Sequence, residues 1–289
     1  LGKIVKRGLP KPQDYVTLDP KGSISTNFDL DDVYDISQAG NYSVEFVSPL
    51  LDVGKEEPTA LAAKLSETRD FTPKRIRSNV VEFELIEDRN PRLSKGVELE
   101  FSERLAAVEV PAFNNCSTNQ QDLLEDSLSE AEQYAIESDR SLSSTSPSNR
   151  AGSARYKEWF GIYLEQRYNT ITSNFDKILD VITNKRITFN CTCEVDDPDN
   201  TFAYVFPARP YEIFLCSLFW NGPLTGTDSK AGTIIHELSH FYVVAGTTDR
   251  GGLYGQESSR RLARNNPEKA ITHADCHEYF AENTPPLRM

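Results

Sequence analysis

His236-Glu237-Leu238-Ser239-His240 sets two imidazoles at i and i+4. On an α-helix they leave the same face one turn apart and can share one metal ion. Glu237 follows His236 directly, so its carboxylate projects beside such a metal rather than onto it, where a general base for a metal-activated water belongs. The chain has only four histidines, which makes a chance match to this pattern rare. The helix is also well specified: Asp228 or Ser229 can cap its start, Ala231, Ile234, Ile235 and Leu238 supply apolar contacts, and Gly246 can stop it.

A catalytic zinc takes three protein ligands and keeps one position open for water. The extended pattern HExxHxxGxxH would need Gly at 243 and His at 246, where this chain has Val243 and Gly246. Glu257 offers a carboxylate on a following helix, but its gap from His240 is short for a thermolysin-like arrangement. Asp249 is the remaining candidate, because Gly246 lets the chain turn back toward the metal and a carboxylate is a good hard ligand.

The rest of the chain must hold these groups. Its 289 residues suggest two domains, and no apolar run approaches the roughly 18 residues that a membrane span needs. A net charge of -13 argues against nucleic acid or an anionic membrane surface as partner. From residue 15 to about 103, alternating stretches such as Tyr42–Phe46, Val80–Leu85 and Val97–Phe101 predict a small antiparallel β-sandwich. After Pro111 helices dominate. Thr118 and Gln121 have the form of a capping box, with Leu124, Leu128, Ala131 and Ala135 on one face. The Ser-rich stretch 140–152 reads as a loop, and Tyr156, Trp159, Phe160, Tyr163 and Leu164 follow at helical spacing as core. Ile187–Phe189, Phe202–Phe206 and Ile213–Cys216 predict a small sheet. Pro267 opens a helix carrying Asp275 and Glu278, three apart on one face, a pattern that by itself describes a solvated surface. His273 and His277 lie four apart without an acidic third ligand and are read as structural.

All five cysteines lie after position 115. Cys191-Thr192-Cys193 is too tight to bridge itself, so two disulfides reaching elsewhere are expected, with one thiol left over. That places the chain in an oxidising, extracytoplasmic compartment. The opening LGKIVKRG lacks the apolar core of a signal peptide, so an export signal is expected to have been removed ahead of this numbering.

Over roughly 113–285 the sequence resembles the aspzincins, the deuterolysins and peptidyl-Lys metalloendopeptidases. The resemblance rests on Asn115-Cys116-Ser117, Trp159-Phe160-Gly161, Cys191-Thr192-Cys193, Phe202-Ala203-Tyr204-Val205, Leu215-Cys216, Thr225–Ser229, the HELSH helix with Phe241, Gly246-Thr247-x-Asp249, Tyr254-Gly255-Gln256 and His277–Phe280. Together with the strand pattern above it gives an α+β chain: the antiparallel β-sandwich, read as an N-terminal pro-domain over 1–106, then a mainly helical zincin-type catalytic domain with a small sheet over 107–289, as the resemblance implies. It implies one zinc on His236, His240 and Asp249, Glu237 as general base, and Tyr254 as donor to the oxyanion. It also implies disulfides Cys116–Cys191 and Cys193–Cys216 with Cys276 free, and Asp275 and Glu278 as the site for the lysine after the cleaved bond. The family spaces its Asp and Tyr by two residues, whereas Arg250–Leu253 intervene here.

The expected activity is that of a secreted zymogen, a zinc endopeptidase cutting on the N-terminal side of lysine. The alternatives are a deuterolysin-like endopeptidase without lysine preference and a zinc-containing binding or toxin module. No cysteine precedes Cys116, so latency cannot come from a pro-segment thiol. The linker around 101–112 is expected along the cleft, with self-maturation near Lys95 or Arg104.

Overall fold

Ser117 begins the longest helix, α1 (Thr118–Ser144), one residue before the capping box read from Thr118. Its side chain accepts the Gln120 N–H while the Gln120 side chain accepts the Ser117 N–H, satisfying donors that a helix start leaves free. The shift has a simple cause: Gln121, the other possible box residue, donates instead to the Cys116 carbonyl at 2.9 Å. The computed structural model that shows this describes residues 4–7, 16–18, 22–23, 39–50, 74–85, 110–249 and 254–287.

The Ser-rich stretch read as a loop is helical in part. α1 continues to Ser144 and is followed by a short helix, α2 (Pro147–Arg150). Leu142 is fully buried and its carbonyl accepts the Tyr168 hydroxyl at 2.8 Å, so tertiary packing overrides the weak helix propensity of serine. α3 (Ala154–Phe160) and α4 (Glu165–Asn184) carry the aromatic core. Tyr156, Trp159 and Phe160 are buried as expected, but the helix does not reach Leu164. It stops at Gly161, whose φ is 81° and whose missing Cβ would lie 2.2 Å from the Ala263 carbonyl oxygen.

Strands β1 (Ile4–Arg7), β6 (Ala112–Asn114), β7 (Thr188–Asn190), β8 (Thr201–Val205) and β9 (Glu212–Leu215) form one mixed sheet, in the order β1-β8-β9-β7-β6. β6, β7 and β9 run parallel, and β8 and β1 are antiparallel additions at one edge. Cys116–Cys191 and Cys193–Cys216 pin the strand ends, with Cα separations of 5.0 and 5.1 Å, and Cys276 is free and buried. These pairings agree with the resemblance.

Five more α-helices follow among the described residues: α5 (Ser217–Asn221), α6 (Lys230–His240), α7 (Gln256–Asn265), α8 (Pro267–Ala270) and α9 (Ala274–Glu282). The single helix expected from Pro267 is thus two. The break serves the site, since Thr248 N–H donates to the Thr272 carbonyl at 3.1 Å and Thr248 bridges to His273, which draws 271–273 out of helical form.

The chain divides into two compact units, one drawn from residues 10–104 and one from residues 3–9 and 105–289. In the first, β2 (Gly40–Val44) pairs with β5 (Val81–Leu85), and β3 (Val47–Leu50) with β4 (Lys74–Arg77), both antiparallel. Tyr42 stacks on Phe83 at 5.4 Å across the first pair. The run Val97–Phe101 and the linker at 101–109 lie outside the described residues; where a sandwich was expected, the described residues show two separate two-stranded sheets. Residues 4–7, taken from sequence as part of the N-terminal domain, belong to the larger unit through β1.

Candidate active site

α6 is buried along its whole length, so every side chain on it has a fixed neighbour. Ser229 caps it by accepting the Gly232 N–H at 2.9 Å. Glu282, from the end of α9, accepts from the Ser229 N–H and hydroxyl, both at 2.8 Å. Gly232 makes this close approach possible, because a Cβ there would lie 2.1 Å from a Glu282 carboxylate oxygen. The helix ends at His240 rather than near Gly246. Gly246, with φ 60°, turns the chain back so that Thr247 N–H donates to the Ser239 carbonyl at 3.1 Å, and Asp249 arrives beside the two histidines.

His240 Nδ1 donates to the Thr247 carbonyl at 3.1 Å. His236 Nδ1 donates to Glu278 Oε2 at 3.0 Å and lies 3.0 Å from Asp275 Oδ1. These bonds fix the tautomers, because a proton held on Nδ1 leaves the Nε2 lone pair free. Both Nε2 atoms are buried without a hydrogen-bond partner, as is Asp249 Oδ1. Asp249 Oδ1 stands 3.2 Å from His236 Nε2 and 3.5 Å from His240 Nε2. A tetrahedral zinc with bonds near 2 Å needs ligand atoms roughly 3.3 Å apart. Three orphaned, converging donors at this spacing fit a zinc ion. Glu257, the other ligand considered, is exposed and lies 3.5 Å from Arg264.

The electrostatics also call for a cation. Burial would lower the basicity of His236, but Asp249, Asp275 and Glu278 raise it well above the usual histidine range. Burial would raise the Asp249 carboxyl, but the two imidazoles hold it far below the usual carboxylate range. Burial pushes His240 down to about 4, so it stays neutral and able to ligate. Glu237 is fully buried with both carboxylate oxygens unpartnered, and burial pushes it up to about 8. A carboxylate left so bare has affinity for a proton from anything that enters the site.

Tyr254 reaches this centre despite the longer spacing from Asp249. Its hydroxyl lies 2.9 Å from Asp249 Oδ2 and 2.5 Å from the Val5 carbonyl oxygen. Arg250–Leu253 lie outside the described residues. Asp275 and Glu278 are not a solvated face, since both are fully buried. Glu278 pairs with the ammonium of Lys6, which also reaches Thr233 Oγ1 at 3.4 Å and sits 4.7 Å over the Phe202 ring. Asp275 accepts the Gly255 N–H at 2.7 Å and acts on Lys6 through its charge. His277 is structural: Nδ1 donates to the His273 carbonyl at 2.9 Å, and Nε2 lies 3.0 Å from Asn174 Nδ2.

Sequence reasoning did not find Lys6, Thr233, Phe202 or Glu282. Phe202 lies within a recognised motif on β8 and Thr233 on the helix that carries HELSH, but their direction into the pocket depends on strand and helix placement. Lys6 carries no local signal at all.

Fold and site together define a metallopeptidase of the HExxH type with an aspartate as third candidate ligand. A profile of the aspzincin M35 family, described as lysine-specific metallo-endopeptidase, matches residues 145–282. An extracellular protease of Aeromonas hydrophila is 38% identical over 98% of this chain and 76% of its own length. A peptidyl-Lys metalloendopeptidase of Pleurotus ostreatus is 43% identical over 61% of this chain and 98% of its own. The solved structure of a zinc peptidase from Grifola frondosa superposes with a TM-score of 0.54 at 39% identity, covering 60% of this chain and 99% of that one. The chain belongs to the aspzincin M35 family and is a metalloendopeptidase of the peptidyl-Lys metalloendopeptidase group.

Proposed function

We propose that the chain is a secreted endopeptidase that hydrolyses the bond on the N-terminal side of lysine, and that residues 1–106 act as its pro-domain. The observation that carries the specificity is the buried ammonium of Lys6 on Glu278, with Asp275 acting on it through its charge and with Phe202 and Thr233 also against the ammonium. Burial opposes the charge on Lys6, yet Glu278, Asp275 and Asp228 outweigh it and raise the ammonium's pKa. A pocket able to keep a lysine charged while excluding water can select one from a substrate. The Pleurotus relative bears a name with this specificity. Secretion is supported by the two disulfides and by the Aeromonas relative's name. Among the described residues no helix is long and apolar enough to cross a membrane.

His236, His240 and Asp249 would hold zinc. Zinc supplies Lewis acidity, lowering the pKa of a bound water and polarising a carbonyl. Glu237 takes the proton from the attacking water and returns it to the leaving amine. Tyr254 donates its hydroxyl hydrogen toward the carbonyl oxygen before the lysine, where negative charge develops. Asp275 and Glu278 seat the lysine side chain and orient His236 through Nδ1.

Digesting denatured proteins and sequencing the products by mass spectrometry tests the assignment. New amino termini should begin with lysine. An even spread over apolar residues would favour the deuterolysin-like activity and remove the role given to the pocket.

A further inference from the structure

β1 occupies the open edge of the catalytic sheet as an added strand, antiparallel to β8, with Val5 opposite Tyr204 and Lys6 opposite Ala203. An extended peptide added to a sheet edge is a general way to hold a chain for recognition, with main-chain bonds giving affinity and pockets reading side chains. Both halves of that description are filled here. Lys6 is 2% exposed, with its ammonium on Glu278 and Thr233. The carbonyl one residue earlier, on Val5, lies 2.5 Å from the Tyr254 hydroxyl, which itself lies 2.9 Å from Asp249. The bond between these two anchored groups is Val5–Lys6, with its carbonyl at the oxyanion donor and its lysine in the pocket.

We infer that the segment Ile4–Arg7 is an intramolecular substrate. It fills the cleft in the register of a peptide about to be cut, blocks other substrates while intact, and is cleaved at Val5–Lys6. This rests on the lysine specificity proposed above. In the step, water adds to the Val5 carbonyl carbon and the C–N bond to Lys6 breaks. Val5 gains a carboxylate, and Glu237 carries the water's proton to the Lys6 amine. The expected site at Lys95 lies outside the described residues. Among the described residues, Lys6 is the lysine placed at these groups.

The blocking effect can be sized. A tethered segment acts at an effective concentration on the order of millimolar, so with an intrinsic affinity for the cleft of ~100 µM it raises the apparent Kd of a competing peptide about tenfold.

The test uses full-length chains and two readouts. Wild-type and Glu237→Gln proteins are analysed by intact mass and amino-terminal sequencing, fresh and after incubation over a tenfold dilution range. Wild type should acquire a terminus at Lys6 with a rate constant that does not change on dilution, while Glu237→Gln stays whole. Separately, a fluorescent peptide containing one internal lysine is titrated into Glu237→Gln with and without Lys6→Ala, and Lys6→Ala should tighten binding at least tenfold. The first readout needs no change at Lys6, so it holds even if Lys6→Ala fails to fold. A wild-type enzyme that cuts the peptide at lysine but keeps Val5–Lys6 intact overturns the inference and leaves the specificity standing. Equal peptide affinity with and without Lys6, or cleavage that accelerates with concentration, also overturns it. If no variant binds or cuts the lysine peptide, the specificity reading itself falls, and this inference with it.

Discussion

Replacing Glu278 by glutamine separates two jobs that meet on one side chain. Glu278 is fully buried and touches both the Lys6 ammonium and His236 Nδ1. Glutamine keeps the shape and a carbonyl oxygen, so the hydrogen bond from His236 survives. What is lost is the negative charge facing the lysine ammonium. Removing one partner of a buried, hydrogen-bonded charge pair costs about 2–5 kcal/mol, which is about 30- to 4,000-fold in kcat/KM for a lysine substrate. A matched peptide with norleucine in place of lysine never used that charge, so its kcat/KM should change little. The assay is kcat/KM for the pair of peptides, with zinc content by mass spectrometry. Glu278→Gln should collapse the lysine preference while keeping about one zinc per chain. If both peptides lose rate equally and zinc is lost, Glu278 acts through His236 alone, and the pocket has been assigned to the wrong residue.

Other substitutions divide along the same lines. Glu237→Gln should abolish hydrolysis and keep the metal, because the base is not a ligand, whereas Asp249→Ala should release zinc into a chelator assay. Gly232→Ala drives a methyl into Glu282 and displaces the cap of α6. It should cost about 2–4 kcal/mol, a fall in melting temperature of roughly 5–15 °C by calorimetry. His277 is held near 4 by burial, below the usual 6.5, and its protonation would set a donor against Asn174 unless that amide turned over. The folded state therefore has this stability in full above pH 6.5 and loses it as pH falls through 4, by about 3 kcal/mol in total. Chemical denaturation from pH 7 to 4 should show a steeper loss for wild type than for His277→Gln.

The metal candidates could be read from sequence because their spacing is local. A helix converts i and i+4 into one face, and Gly246 with Asp249 lies within a single turn of chain from it. The same holds for the runs that became β7, β8 and β9. Errors came where tertiary contacts decide. The Ser-rich end of α1 is helical because Leu142 is buried, and the helix from Pro267 breaks because Thr248 pairs across it. Asp275 and Glu278 show the limit most clearly. Spacing alone describes them as a wet surface, and only the packing of α9 against α6 turns them inward. Glu282 and Lys6 are further cases, since each acts across more than fifty residues of sequence on a partner that no periodicity reveals.

The arrangement of charge explains why a lysine fits beside a metal site at all. Two cations placed close together repel, and the interior offers little dielectric to soften it. Here Asp249 faces both histidines on the metal side, Asp275 and Glu278 stand behind His236, and Glu278 alone extends to the ammonium. One layer of carboxylates therefore lies between the two positive positions and serves both. The ammonium on the far side compensates buried negative charge that His236 only partly shares. Under the specificity proposed above, a substrate lysine would take the role that Lys6 holds here, so the pocket proposed to select a lysine is the one that strand β1 fills.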